Sequence, residues 1–184
     1  MKVLPTRLSG VMVIEPRRHT DDRGWFIESW DRRRYAAAGM DTDFVQDNHS
    51  LSRRGVVRGL HYQAPPRAQA KLVRCTAGRI WDVVVDIRHG SPTYGQWDAV
   101  ELDAASPRMV WVPVGFAHGF AALSEQAEVQ YKCSDYYAPE AAVGIRWDDP
   151  ALGIPWPVRE PVLSEQDRRH PCLAALPRHF TFTP

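Results

Sequence analysis

Ile80-Trp81-Asp82-Val83-Val84-Val85-Asp86-Ile87-Arg88 decides the fold, because its residues alternate as a strand does. Trp81, Val83, Val85 and Ile87 fall on one face and Asp82, Val84 and Asp86 on the other, the two-residue period of a pleated chain. The next stretch, Gly90-Ser91-Pro92-Thr93-Tyr94-Gly95, is turn chemistry: Pro92 presets φ and the glycines supply positive φ. Working outward, residues 97–102, 108–112, 120–123 and 127–133 read as further strands, with turns at Pro107, at Pro113-Val114-Gly115 and at Gly119.

Short strands at intervals of about ten residues, parted by Gly and Pro, predict an all-β sandwich or barrel. Helical signals lie at the flanks only: residues 29–38, with Ser29 as N-cap and Gly39 as stop, and residues 164–169, closed by Pro171. The expected architecture is a jelly-roll of the cupin kind, one domain over 1–184, with its core at about 10–160 and a C-terminal helical segment at about 161–184.

A chain of 184 residues can bury a substantial core without staples. Its 44% hydrophobic content and seven tryptophans exclude disorder. With 23 basic and 22 acidic residues the net charge is +1, so nucleic acid binding by bulk electrostatics is not expected, while a local basic pocket for a phosphorylated small molecule remains open. Cys75, Cys133 and Cys172 lie far apart without a Cys-x-x-Cys pair, which suits free thiols in a reducing cytosol. Residues 1–10 lack the apolar run of a signal peptide and no stretch approaches a membrane span, so a cytoplasmic protein without membrane contact is expected.

Strand parity places the candidate chemistry. Ala127, Val129, Tyr131 and Cys133 share one face against Glu128, Gln130 and Lys132, so Tyr131 points inward. By the same count Lys71 groups with Val73 and Cys75, where burying an ammonium is costly without a partner or a task; the alternative is a strand-end lysine snorkelling to solvent. His61 taken alone reads as readily as a structural histidine as a base, and its company (Arg58, Lys71, His118, Tyr131) favours the base. His118 sits in Gly115-Phe116-Ala117-His118-Gly119, a segment whose glycines can bring backbone close to a ligand. Asp167 stands three residues after Ser164, the spacing of a capping box, and can instead orient a histidine. Metal-holding barrels of this kind use a His-x-His pair with a carboxylate and a distant histidine. Here position 63 is Gln and no histidine stands two residues from His61 or His118, so a metal-free site is expected.

Several motifs together resemble one family. Asp22-Arg23-Gly24-Trp25-Phe26-Ile27-Glu28, Gln46-Asp47-Asn48-His49-Ser50, Val57-Arg58-Gly59-Leu60-His61-Tyr62-Gln63, the strand and turn quoted above, Pro113-Val114-Gly115-Phe116-Ala117-His118-Gly119-Phe120 and Tyr131-Lys132 resemble the dTDP-4-dehydrorhamnose 3,5-epimerases. Trp147-Asp148-Asp149-Pro150 and Trp156-Pro157 fit as well, and the match runs in order from about residue 10 to 170. The resemblance implies a dimeric jelly-roll, without a cofactor, that epimerises a nucleotide-linked 4-keto-6-deoxyhexose at C3 and C5. It makes His61 the general base supported by Asp167, Tyr131 the general acid, and Lys71 the stabiliser of the enolate oxygen. Arg58, His118, Gln46 and Asn48 would hold sugar and diphosphate, Tyr137 would lie near the pocket as the lesser candidate acid, and Arg23, Phe26 and Glu28 would reach into the neighbouring subunit.

Two positions depart from the family's pattern: Ala142 where a glutamate is common, and Gln166 where a lysine is common. Both bear on nucleotide choice and diphosphate contacts. A mono-epimerase acting at C3 or C5 alone on a related dTDP- or CDP-ketosugar is the alternative enzyme. A non-catalytic nucleotide-sugar-binding barrel is the alternative of another class, although it would have no need of an acid and a base on opposed walls.

Overall fold

The computed structural model describes residues 1–183, so Pro184 of the expected C-terminal segment lies outside the described residues. In chain order the strands are β1 (Lys2–Pro5), β2 (Met12–Glu15), β3 (Arg18–Asp21), β4 (Gly24–Ile27), β5 (Gln46–Arg53), β6 (Val57–Gln63), β7 (Lys71–Ala77), β8 (Arg79–Asp86), β9 (Arg88–His89), β10 (Trp97–Asp103), β11 (Met109–Val112), β12 (Phe116–Ala122), β13 (Gln126–Cys133), β14 (Ala142–Gly144) and β15 (Phe180–Thr181). Two short helices, α1 (Arg32–Ala37) and α2 (Glu165–Arg168), lie near the ends.

A six-stranded sheet in the order β1-β2-β11-β7-β13-β5 faces a five-stranded sheet in the order β10-β8-β12-β6-β14, and the pairings within both are antiparallel. This is the predicted all-β jelly-roll sandwich. The interior between the sheets is filled by Val73, Cys75, Val84, Val110, Val112, Phe120, Ala127 and Val129, among which Val73, Cys75, Ala127 and Val129 are those that strand parity turned inward. Val83 and Val85 of β8 and the adjoining Ile87 are buried too, because Leu152 and, from the C-terminal segment, Leu173 and Phe180 cover the outer face of that sheet. On the other flank, α1 and the loop after it lay Tyr35 and Met40 over Leu72, Met109 and Trp111.

Three expectations are corrected. Gly119 is not a turn: it lies inside β12, where a Cβ would meet the Arg58 carbonyl oxygen at 2.7 Å and the Gly59 Cα at 3.0 Å. The glycines there let two strands touch, with the register shifting between His118 and Phe120, and the close approach is to β6 rather than to a ligand. The first helix starts later than residue 29 and is capped by Asp31, whose carboxylate accepts from the Arg34 N–H at 2.8 Å. Ser29 stays outside because its carbonyl accepts from the Tyr35 hydroxyl, while Trp30 packs on Tyr35 and Phe44. The segment beyond residue 160 is largely irregular: it carries the four-residue α2, a 3-10 turn at Leu173–Ala175 and β15, which pairs with β9 in parallel. Its packing, more than its helicity, is what it contributes.

Candidate active site

His61 stands near the end of β6, between β12, where it faces His118, and β14, where it faces Gly144. Its imidazole is 40% exposed and its Nε2 lies 2.5 Å from Asp167 Oδ1, a carboxylate buried to 5%. Asp167 serves both roles read from its spacing. Its N–H bonds the Ser164 Oγ at 3.0 Å, capping α2, and its Oδ2 accepts from the same hydroxyl at 2.9 Å. Burial pushes the Asp167 carboxyl up, but the hydrogen bond and charge of His61, joined by Ser164, outweigh it and hold the group below the usual carboxylate range. A carboxylate so placed fixes the ring with its proton on Nε2 and leaves Nδ1 as the free, basic edge.

His61, Lys71, Tyr131 and Tyr137 line one cleft of about 170 Å³, together with Ala142 and Gln166 at the two positions of departure. Lys71 opens β7, is 9% exposed, and sits 3.4 Å by its Nζ from the His61 carbonyl oxygen, so it faces the interior as parity required. Burial draws its ammonium below an exposed lysine's range, with Cys133 and Asp82 acting in the opposite sense. Tyr131 reaches the same space from β13, in the other sheet from His61. Burial pushes its phenol up, helped by Cys133 and opposed by Arg58, so it keeps its proton at neutral pH.

Around the cleft, Gln46 Oε1 accepts from the Tyr137 N–H at 2.8 Å and its Nε2 donates to Asn48 at 3.1 Å, so both residues hold the Tyr137 loop. Arg58 donates to Ser52 Oγ at 3.0 Å beside that wall. His118 does not line the cleft. It is buried behind it, with Nε2 2.8 Å from Asp82 Oδ2. Arg23, Phe26 and Glu28 are not brought there either: Arg23 pairs with Asp21 and Glu28 with Arg34, on an exposed β3–β4 hairpin and its exit.

Two contributors to the site were missed in the sequence, Asp82 and Gln63, and so was one neighbour that does not line the cleft, His170. Asp82 is 1% exposed; its Oδ2 meets His118, and its Oδ1 has no hydrogen-bond partner among the described residues. An aspartate on the inward face of the quoted strand, among valines, was the available signal. Gln63, noted only as a missing metal ligand, donates to the carbonyls of Arg67 and Tyr136 and accepts from the Ala138 N–H, anchoring the cleft's loop. His170 lies beside Asp167 and carries no periodicity or motif that would reveal it.

Comparison with known proteins agrees with this geometry. Residues 5–175 match the family model described as dTDP-4-dehydrorhamnose 3,5-epimerase. A relative of that name from Pseudomonas aeruginosa is 52% identical over 171 residues, covering 92% of this chain and 94% of its own. The crystal structure of dTDP-6-deoxy-D-glucose-3,5-epimerase from Legionella pneumophila, in complex with dTDP-4-keto-L-rhamnose, superposes with a TM-score of 0.95 at 44% identity, covering 100% of this chain and 99% of that one. A 3'-monoepimerase from Streptomyces bikiniensis, in complex with dTDP-quinovose, has a TM-score of 0.87 at 38% identity over 93% and 87% of the two chains. With the motifs, the sandwich and the match over residues 5–175 all in agreement, the chain belongs to the dTDP-4-dehydrorhamnose 3,5-epimerase family.

Proposed function

We propose that the chain epimerises a dTDP-4-keto-6-deoxyhexose at C3 and C5, the two carbons that flank its ketone. The observation that carries this is the single cleft shared by His61, Lys71 and Tyr131, with Asp167 behind the imidazole. His61 Nδ1 takes the proton from the carbon beside the ketone, and the bonding pair moves onto the oxygen as an enolate. The Lys71 ammonium beside that oxygen stabilises the charge, a term worth about 10²–10³ in rate when one such donor is removed. Tyr131 then delivers its phenolic proton to the opposite face, and the enolate pair re-forms the C–H bond with inverted configuration. The positions of His61 and Tyr131 on facing sheets support delivery from opposite sides. Neither hydride nor electron transfer is needed.

Arg58, Gln46, Asn48, Tyr137 and the buried His118–Asp82 pair are assigned to binding and shaping the site. The active form is a homodimer in which Arg23, Phe26 and Glu28 reach the neighbour's cleft, and the exposed Trp25 and Phe26 support this. No helix among the described residues is long and apolar enough to cross a membrane, and all three cysteines are free, which fits a cytoplasmic enzyme. The second reading is epimerisation at one carbon only, favoured by the similarity to the Streptomyces 3'-monoepimerase. Incubation with dTDP-4-keto-6-deoxyglucose in heavy water tests both. Deuterium at C3 and C5 is expected, deuterium at one carbon selects the second reading, and none at either leaves a binding protein.

A further inference from the structure

We propose that His61, Asp167 and His170 form a binding site for a divalent transition metal of the Zn²⁺ type, and that filling it switches the catalytic base off. The three ligand atoms lie within 4.8 Å of one another. His170 Nε2 is buried without a hydrogen-bond partner among the described residues and lies 3.5 Å from Asp167 Oδ1, the oxygen already bound by His61. The two imidazoles stand edge to face, 5.6 Å apart at 76°. Room for the second ring is provided by Gly144, the cross-strand partner of His61: a Cβ there would meet the ring atoms of His170 at 2.2–2.3 Å.

Two imidazoles and a carboxylate are a ligand set Zn²⁺ favours, with water in the fourth position. At metal–ligand distances of about 2.0–2.2 Å, tetrahedral ligand atoms stand roughly 3.3 Å apart. The His170–Asp167 spacing of 3.5 Å already matches, and the His61–Asp167 contact of 2.5 Å has to open by less than about 1 Å. The consequence follows from tautomers. Asp167 holds the His61 proton on Nε2 and leaves the lone pair on Nδ1. A metal needs the Nε2 lone pair, so the proton moves to Nδ1; none is gained or lost, but the basic edge disappears. Inhibition therefore rests on His61 being the base, whereas binding does not.

The test uses the full-length protein freed of metal with EDTA and then dialysed. Titration with Co²⁺ should give one bound equivalent with the visible absorption of a four-coordinate ion, displaced by Zn²⁺. Zn²⁺ should raise the thermal midpoint and abolish epimerisation, and EDTA should restore it. His170→Gln should keep metal-free activity, weaken Co²⁺ binding at least about tenfold, the low end of the cost of losing even an outer partner of a metal site, and make the enzyme resistant to Zn²⁺. His170→Ala, which removes the same ligand and leaves free space above Gly144, should do the same. Absence of Co²⁺ binding at millimolar concentration, or binding and inhibition unchanged in both variants, overturns the proposal. A cobalt site dependent on His170 in a protein without epimerase activity upholds the site and removes the functional reading instead.

Discussion

The cleft around His61 and the β3–β4 hairpin carry motifs of equal clarity in the sequence, yet the fold treats them in opposite ways. In the cleft, polar groups find partners within the chain: Asp167 in His61 and Ser164, Lys71 in the His61 carbonyl, the Tyr137 N–H in Gln46. On the hairpin, Trp25 and Phe26 are 58% and 67% exposed and Arg23 pairs with Asp21, its neighbour in the turn. Apolar rings kept in water are costly in an isolated chain and mark a surface that another surface covers. The exposed rings support the proposed homodimer, in which the hairpin would serve a neighbour's cleft, whereas the motifs of the cleft pair within their own chain.

The largest effects should come from the cleft. His61→Ala is expected to remove deuterium exchange at both carbons, a loss on the order of 10²–10⁴ in rate; exchange surviving at either carbon would show a second base. Asp167→Asn should follow closely, since the amide cannot hold the same tautomer. It also tests linkage. The folded carboxyl titrates below its unfolded value, so its contribution to stability is present above about pH 3.9 and lost as pH falls through the folded value. The variant's unfolding midpoint should depend less on pH in that acidic range.

Lys71→Met should lower kcat by about 10²–10³ with a smaller change in KM. The native enzyme should lose activity on the alkaline side before an exposed lysine, ordinarily near 10.4, would lose its charge. Tyr131 is shifted upward by burial and gives up its proton later, so the first alkaline loss belongs to Lys71. A Lys71→Met variant with the same early limb would reassign it.

Hairpin changes should be milder and should depend on protein concentration. Phe26→Ser is expected to reduce activity roughly tenfold, about 1.4 kcal/mol, and to shift sedimentation toward the monomer, with the His61–Asp167 pair unaffected. Full activity in a monomeric variant would show that the cleft needs no neighbour. The smallest effect is expected from Ala142→Glu combined with Gln166→Lys, a few-fold change in KM for the nucleotide sugar with kcat unchanged.

Much of this was legible because strands alternate. The inward placement of Lys71, Val73, Cys75, Val129, Tyr131 and Cys133 follows from counting by twos, and the filled interior obeys it. The same counting could not show that Gly119 marks a contact between strands, since a glycine in a turn and a glycine pressed against Gly59 read alike. Nor could it choose Asp31 over Ser29 as a cap, because both residue types cap helices and the choice falls to the packing of Trp30 and Tyr35.

By itself the sequence determined an all-β jelly-roll, sandwich or barrel, the inward faces of the strands that carry Lys71 and Tyr131, and the family that the chain resembles, because periodicity and local motifs are written within a few residues. The meeting of Asp167 with His61 across 106 positions was implied by the family resemblance, but only the tertiary structure decided that Asp82 sits behind His118 and that His170 joins the pair above Gly144. Those meetings depend on how the C-terminal segment packs over the five-stranded sheet. Its course is set by apolar contacts of Leu152, Leu173 and Phe180, which carry no direction or register that a one-dimensional pattern could record.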